Sequence, residues 1–156
     1  MAIRNIITKG DPILKKKSRP VEKFDDRLVQ LLEDMAETMY KNEGCGLAAV
    51  QIGVLRRVVL VDVGEGLIEL INPEIISQEG EQNEAEGCLS FPDEYGVTSR
   101  PAVVKVKAQN RDGQWCVYKG EELKARCFCH EIDHLDGVVF KDRLKEDSDK
   151  IADLEV

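Results

Sequence analysis

The sequence has no long hydrophobic run and no excess of positive charge. Nothing in it approaches the roughly 20 consecutive apolar residues of a membrane span. The N-terminal segment MAIRNIITKGDPILKKKSRP alternates charge with short apolar pairs, unlike a secretion signal. The formal net charge is −8, which would repel phosphate backbones and anionic lipid headgroups. We therefore expect a cytoplasmic protein with no DNA partner and no membrane partner.

Internal repeats and long linkers rich in Pro, Gly or Ser are also missing. A chain of 156 residues is long enough to bury roughly two thirds of its unfolded surface, so we expect residues 1–156 to form one domain. The five cysteines are an odd number, which argues against a fully paired disulfide framework. We expect reduced thiols, some of them available as metal ligands.

What the sequence does contain is a clear helical pattern after Asp25, a residue type favoured at helix N-caps. Apolar residues follow at the spacings of one helix face, namely Leu28, Leu31, Leu32, Met35 and Met39. This helix should end by Gly44. A second helix is predicted from Glu121 to Asp136, where good helix formers are followed by Gly137, a natural stop.

Between the two helices the pattern predicts two pairs of strands. Each pair has two apolar-rich segments around a Gly-containing turn: RRVVLVDV (56–63) with LIELINPEII (67–76), and AVVKVKAQN (102–110) with QWCVYKG (114–120). Strand pairs flanked by helices predict an α+β fold with largely antiparallel sheet.

The only two histidines of the chain lie in CFCHEIDHLDG, residues 127–137. His130 and His134 are four residues apart, so on a helix both imidazoles can point at one ion. Glu131 can then sit beside a metal-bound water as a general base without binding the metal. A solvated amphipathic helix is the alternative, but the HExxH pattern favours a metal site.

A catalytic zinc-type site usually has three protein ligands and one open position, so a third donor is needed. Glu155 is a downstream candidate, as in a small zincin protease, but it lies one residue from the C-terminus. Cys88 in EGCLS (86–90) is the better candidate, because its Gly and Leu-Ser neighbours favour an exposed thiolate. Taken alone, Cys88 could equally be a small buried residue.

A third stretch, GCGLAAVQ (44–51), places two glycines directly after the first helix. Glycines let backbone approach a ligand closely and tolerate positive φ. A helix cap explains Gly44 equally well, and alone the stretch indicates only a structural turn.

Together the three stretches resemble the signature motifs of the peptide deformylase family, GxGLAAxQ, EGCLS and HExDH, in the family's order. The similarity continues from GDPIL (10–14) through INPEI (71–75) to DHLDGVVFKDRL (133–144), nearly the whole chain. The resemblance implies antiparallel sheets packed around a central metal-binding HExxH helix, plus an N-terminal helix.

The resemblance implies a hydrolase that removes the N-formyl group from the formylmethionine of new polypeptides and releases formate. The metal ligands would be Cys88, His130 and His134, holding one divalent ion per chain. Ferrous iron is implied in cells, and zinc, nickel or cobalt suit the same donors. Glu131 would act as general base and then acid. The Gln51 side-chain amide and the Leu89 backbone N–H would stabilise the oxyanion.

The implied substrates are formyl-methionyl nascent chains, lying as an added β-strand along the Gly-rich segment. The matching substrate-binding positions are Gly44, Cys45, Gly46, Leu47, Gly87, Leu123 and Cys127. A transient ribosome contact would need a local basic patch such as residues 15–19.

Four further features are interpreted beside the family pattern. Asp133 is expected to pair with Arg100 and fix the helix, with an ordinary surface carboxylate as the alternative. Arg126 is expected to line the pocket rim with its charge in solvent. Cys129 is expected to be a packed helix residue, or else a thiol that reacts under oxidation. The C-terminal segment 145–156 is shorter than the family's C-terminal helix.

Two rival functions remain open at this point. A small zincin-type metalloprotease would leave Cys88 free. A non-catalytic metal or redox-sensing protein would use Cys127, Cys129 and the histidines, and would not need Glu131 as a base.

Overall fold

The computed structural model describes residues 3–145. This part of the chain contains the helices α1 (Asp26–Lys41) and α2 (Glu122–Leu135). It also contains seven strands: β1 (Gly46–Ala48), β2 (Val58–Val61), β3 (Ile68–Glu79), β4 (Gln82–Cys88), β5 (Phe91–Arg100), β6 (Val103–Gln109) and β7 (Trp115–Glu121). Short 3-10 turns lie at Pro12–Lys15, Ala49–Ile52 and Phe140–Arg143. The candidate ligand Glu155 and most of the C-terminal segment lie outside the described residues.

The strands form two antiparallel sheets. Five strands pair in the order β1-β2-β3-β6-β7, and β4 pairs with β5 in a separate hairpin. The predicted α+β class with largely antiparallel sheet is therefore confirmed, and so are both predicted strand pairs. β3 continues past its predicted end, because Pro73 lies at an irregularity of the ladder where a missing N–H is tolerated.

The core lies on both faces of the larger sheet. Val58 and Leu60 of β2 pack with the α1 side, whereas Val59 and Val61 pack with the α2 side. All four residues are fully buried, which explains why this strand reads as a continuous apolar run and not as an alternating one. The two helices are thus held on opposite faces of one sheet.

The first helix starts and packs as predicted. The carboxylate of Asp25 accepts a hydrogen bond of 3.2 Å from the Leu28 amide, and the predicted apolar face is buried. The helix ends at Lys41, and Glu43 rather than Gly44 takes the left-handed conformation, with φ of 55°. Neither Gly44 nor Gly46 has positive φ, so the explanation of the two glycines by a positive φ angle is wrong.

The second helix follows β7 directly and ends at Leu135. Gly137 adopts φ of 75°, so the predicted glycine stop is confirmed. A side chain at this position would also collide with the backbone carbonyl of Lys15. Among residues 3–145, neither helix has the length and apolar character needed to cross a bilayer.

The hairpin of β4 and β5 is not among the strand pairs predicted from the sequence. Residues 83–85 of β4 are exposed, so the strand carries no alternating apolar pattern that would reveal it. Its tight turn is formed by Leu89 and Ser90, since Cys88 pairs with Phe91. The hairpin therefore fixes Cys88 at a strand end facing α2.

Candidate metal centre and active site

Three potential ligand atoms converge where the end of β4 meets α2. The donor atoms of Cys88, His130 and His134 all lie within 4.8 Å of one another. His130 and His134 are buried one helical turn apart, with ring centroids separated by 5.0 Å. The Cys88 Sγ lies 3.3 Å from the His134 Nε2. One thiolate and two imidazoles at these separations fit a borderline divalent ion such as iron or zinc, and do not fit magnesium or calcium.

His130 is oriented by Glu86, which sequence reasoning did not include in the site. The Nδ1 of His130 is 2.6 Å from the Glu86 Oε1. The other ring nitrogen, Nε2, is therefore the atom available to bind a metal ion. Carboxylate partners of this kind fix the tautomer and direction of metal-binding histidines. A sequence signal did exist, because Glu86 lies two residues before Cys88 in the EGCLS motif.

Glu86 is the centre of a buried network of charges. Arg100 donates to both of its oxygens, at 2.5 Å and 3.1 Å, and Arg126 donates to Oε2 at 2.6 Å. Thr98 donates to the same oxygen at 2.7 Å. Burial alone would raise the pKa of Glu86, but the hydrogen bonds from His130 and Arg100 outweigh it and hold this pKa well below its usual range. Glu86 is therefore an ionised acceptor facing His130.

The predicted ion pair between Asp133 and Arg100 is confirmed. Arg100 Nη1 lies 2.6 Å from Asp133 Oδ2, and Arg143 binds the same carboxylate at 2.5 Å and 2.9 Å. Arg100 thus joins Glu86 on β4 to Asp133 on α2. This link fixes the hairpin that carries Cys88 against the helix that carries the two histidines.

The expectation that the charge of Arg126 extends into solvent is wrong. Its side chain is buried, its Nη1 donates to Glu86 and to Thr98, and its Nη2 reaches the carbonyl oxygens of Gln82 and Thr98. The charge does not extend to solvent because Glu86 offers a buried carboxylate on the neighbouring strand. The charge of Arg126 therefore stabilises the network and does not reach solvent, although its side chain lines the cavity beside Leu123.

Glu131 lies beside this donor group in a desolvated position. Its Oε2 is 3.9 Å from the His130 Nε2, and its Oε1 has no hydrogen-bond partner among residues 3–145. Burial, as the largest cause, raises the pKa of Glu131 to about 7. A carboxylate with such a pKa can accept and return a proton near neutral pH.

Residue 46 must be glycine because the Glu131 carboxylate lies directly against it. A Cβ atom at residue 46 would lie 2.6 Å from Glu131 Oε2 and 2.8 Å from Cys127 Sγ. The GxG segment is therefore required for close approach and not for a special backbone conformation. Gly46 brings the start of β1 directly against the α2 face that carries Glu131.

The side-chain amide of Gln51 points at the cysteine end of the site. Its Oε1 accepts a hydrogen bond of 2.9 Å from the Ala48 amide, so its Nε2 faces the opposite way. That Nε2 is 3.5 Å from Cys88 Sγ and donates to Ser90 Oγ at 3.1 Å. Leu89 lies in the turn between Cys88 and Ser90, and its side chain lies against Gly44.

The predicted substrate-binding residues are only partly brought together. Cys45 and Cys127 are adjacent, with sulfur atoms 3.6 Å apart, and Gly87 lies against the Tyr95 ring. The Leu47 side chain is fully buried with the α1 core, so only its backbone can meet a ligand. Leu123 is exposed and lines a separate cavity of about 510 Å³, together with Gln82, Glu84, Ala85, Ala102, Glu122 and Arg126.

A cysteine and two histidines around one point, with a buried glutamate adjoining them, are the kind of arrangement found in metallohydrolases. The comparisons with known proteins agree. The sequence model of the family described as polypeptide deformylase matches residues 3–150. The chain belongs to the polypeptide deformylase family and is a hydrolase.

Relatives and solved structures are similar along most of their length. The chain is 56% identical to the peptide deformylase of Alkaliphilus metalliredigens over 144 residues, which is 92% of this chain and 98% of that protein. It is 55% identical to the peptide deformylase of Caldanaerobacter subterraneus over 150 residues, covering 96% and 94% of the two chains. The crystal structure of peptide deformylase from Thermotoga maritima superposes with a TM-score of 0.91 at 42% identity, covering 93% of this chain and 99% of that chain.

Proposed function

We propose that this chain hydrolyses the N-formyl group of formyl-methionyl peptides and releases formate, with residues 1–156 acting as one catalytic domain. The observation that carries the proposal is the position of Glu131, a buried carboxylate without a partner for Oε1 in residues 3–145, beside the group formed by Cys88, His130 and His134. A metal-storage or sensing protein has no use for such a base.

Cys88, His130 and His134 would hold one divalent ion, ferrous iron in cells, with zinc, nickel or cobalt able to substitute. A bound ion of this kind lowers the pKa of a coordinated water towards neutrality and polarises a carbonyl oxygen. Support comes from the donor separations and from Glu86, which holds the His130 ring with Nε2 free. The role of Cys88 distinguishes this site from a zincin site, in which a carboxylate is the third ligand.

Glu131 would accept a proton from the attacking water and later deliver it to the leaving amine. Its desolvated carboxylate has a pKa of about 7, which suits both halves of this transfer. Because Gly46 has no side chain, it leaves space for the Glu131 carboxylate.

The side-chain amide of Gln51 and the backbone N–H of Leu89 would donate to the oxyanion that develops on the formyl oxygen. The hydrogen bond from Ala48 to Gln51 Oε1 orients the amide before substrate arrives. Such preorganised donors need no reorganisation during the reaction.

The peptide would bind as an added strand along residues 44–47. Among the described strands, β1 is an edge strand that pairs with β2 alone, so its outer side can form backbone hydrogen bonds with a ligand. Gly44 and Gly46 would offer backbone contacts, while Gly87, Cys45 and Cys127 would border the methionine side chain.

The reaction would take place in the cytoplasm, where nascent chains emerge. A transient ribosome contact would use a basic groove of about 700 Å³ whose lining includes Arg4, Arg19, Lys23, Arg27 and Arg56. This groove adjoins the exposed lysines of residues 15–17 and concentrates positive charge on a chain of net charge −8. Reversing Arg19 and Arg56 to Glu should weaken salt-sensitive cosedimentation with ribosomes and leave hydrolysis of short peptides intact.

The test of the proposed reaction is formate release from formyl-Met-Ala-Ser by anaerobically purified protein loaded with iron(II). The Glu131→Gln variant is measured in parallel, with its metal content quantified. Release by the original chain, lost in a variant that still holds metal, supports the proposal. A fully loaded protein that releases no formate would refute it.

A further inference from the structure

Cys45 and Cys127 form a thiol pair outside the proposed metal donor group. Their sulfur atoms are 3.6 Å apart, and neither belongs to the cluster of Cys88, His130 and His134. Cys45 is exposed just before β1, whereas Cys127 is buried on α2. Both thiols are reduced in the structure. The deformylation mechanism gives neither sulfur a chemical step.

The two sulfurs have unequal surroundings. The Cys127 Sγ donates to the carbonyl oxygen of Cys45 at 3.3 Å and adjoins the Cys45 Sγ. The same carbonyl accepts a hydrogen bond of 2.8 Å from the Asp62 amide, which fixes the backbone of Cys45. The contact between the thiols lowers the pKa of Cys45 and, together with burial, raises the pKa of Cys127. The exposed sulfur is therefore the nucleophile, and the buried one stays protonated.

We propose that Cys45 and Cys127 form a disulfide in response to hydrogen peroxide, that thiol reductants reverse it, and that this disulfide switches the neighbouring active site off. The Cys45 thiolate attacks one peroxide oxygen, the O–O bond breaks, and the second oxygen leaves as hydroxide, which is protonated to water. Cys45 is now a sulfenic acid. The Cys127 sulfur attacks the Cys45 sulfur, and the sulfenic oxygen leaves as water with the Cys127 proton. Two thiols are oxidised to a disulfide while one peroxide is reduced to two waters.

The remaining cysteines are less suited to this reaction. Cys129 is buried in the apolar core, where peroxide has little access to its sulfur. Cys116 is half-buried on β7, in a different part of the sheet. Cys127, two residues before Cys129 on the helix, is the buried cysteine whose sulfur contacts Cys45.

Disulfide formation would disturb the site because the two sulfur atoms must move towards each other. The sulfurs would approach from 3.6 Å to about 2.05 Å, a shift of roughly 1.5 Å. Cys127 lies one helical turn before Glu131, and both side chains border Gly46. A misplacement of about 1 Å at a catalytic group can cost on the order of a hundredfold in rate. The loss of activity rests on the proposed deformylase function, whereas disulfide formation itself does not.

The test treats zinc-loaded holoenzyme with hydrogen peroxide, because zinc has no redox chemistry of its own. Digestion without reductant, followed by mass spectrometry, maps the cysteines. We expect a crosslink between the peptides that contain Cys45 and Cys127, with the loss of two hydrogen atoms. Formate release should fall about tenfold to a hundredfold. Dithiothreitol should remove the crosslink and restore activity.

Three variants serve as comparisons. Cys116→Ser should form the same crosslink and lose activity on oxidation as the original chain does. Cys127→Ser should leave a sulfenic acid on Cys45 that dimedone traps, and Cys45→Ser should give no crosslink.

Oxidation that falls on Cys88 or Cys116, while Cys45 and Cys127 stay reduced, would overturn the disulfide. A complete crosslink with unchanged formate release would overturn the switch. If untreated enzyme releases no formate, the proposed function fails, and the peptide map still decides whether the disulfide forms.

Discussion

The Nδ1 atom of His130 lies 2.6 Å from Oε1 of Glu86, although the two residues are 44 positions apart in the chain. This contact joins an imidazole of the proposed metal donor group to a buried carboxylate that two arginines also bind. The direction of the His130 ring therefore depends on the hairpin of β4 and β5 and not on α2 alone.

Replacing Glu86 with Gln should weaken metal binding by roughly tenfold to a hundredfold, because the amide cannot hold His130 and balance both arginines as the carboxylate does. Competition with a chromogenic chelator measures the affinity. Glu84→Gln is the matched control, since Glu84 is exposed on the same strand. Equal metal affinity in the two variants would contradict the role assigned to Glu86.

Replacing Gly46 with Ala should lower kcat on the order of a hundredfold while metal stays bound. The new Cβ would lie 2.6 Å from Glu131 Oε2, so the carboxylate must shift. Steady-state kinetics on a formylated tripeptide measures kcat, and metal analysis shows whether the ion is retained. A low kcat with full metal content indicates a displaced Glu131 carboxylate. A variant with unchanged kcat would show that Glu131 tolerates the displacement.

Replacing Gln51 with Ala should reduce kcat by about a hundredfold to a thousandfold, the usual effect of removing one oxyanion donor. Metal content should stay the same, because Gln51 does not belong to the donor group. Gln78→Ala is the comparison, since Gln78 is an exposed glutamine on β3. If Gln51→Ala raised only KM, the side chain would serve binding and not the transition state.

Replacing Arg126 with Met should lower the free energy of unfolding by about 3 kcal/mol, because it removes a buried partner of Glu86. The control on the same helix is Lys124→Met, whose partner Glu65 is exposed, and the expected loss is below about 1 kcal/mol. Urea unfolding of the two variants gives both values. Similar losses would indicate that Arg126 contributes little beyond a surface pair.

The sequence allowed the two helices and the hairpins of the larger sheet to be predicted, because their residues carry local signals. Asp25 marks the start of α1, and the leucine and methionine spacing marks its buried face. The HExxH spacing placed His130 and His134 on one side of α2. In each case the pattern that allows the prediction lies within a short segment of the sequence.

The β4–β5 hairpin and its charges could not be predicted in this way. Residues 83–85 of β4 are exposed and its buried residue is the charged Glu86, so no apolar pattern distinguishes the strand from a loop. Arg126 and Glu86 are separated by 40 residues. The burial of the Arg126 side chain depends on this contact, which exists only in the folded chain. Strand alternation would have placed Glu86 and Cys88 on the same face, had the strand been recognised.

The shortness of β1 has a consequence for self-association. Free strand edges are templates on which other chains can pair and aggregate. An edge of only three residues, Gly46–Ala48, offers too few backbone groups for another folded sheet to grow on, yet enough to hold the first residues of an extended chain end. Among the described strands, the unpaired edge of β1 is therefore a poor template for aggregation.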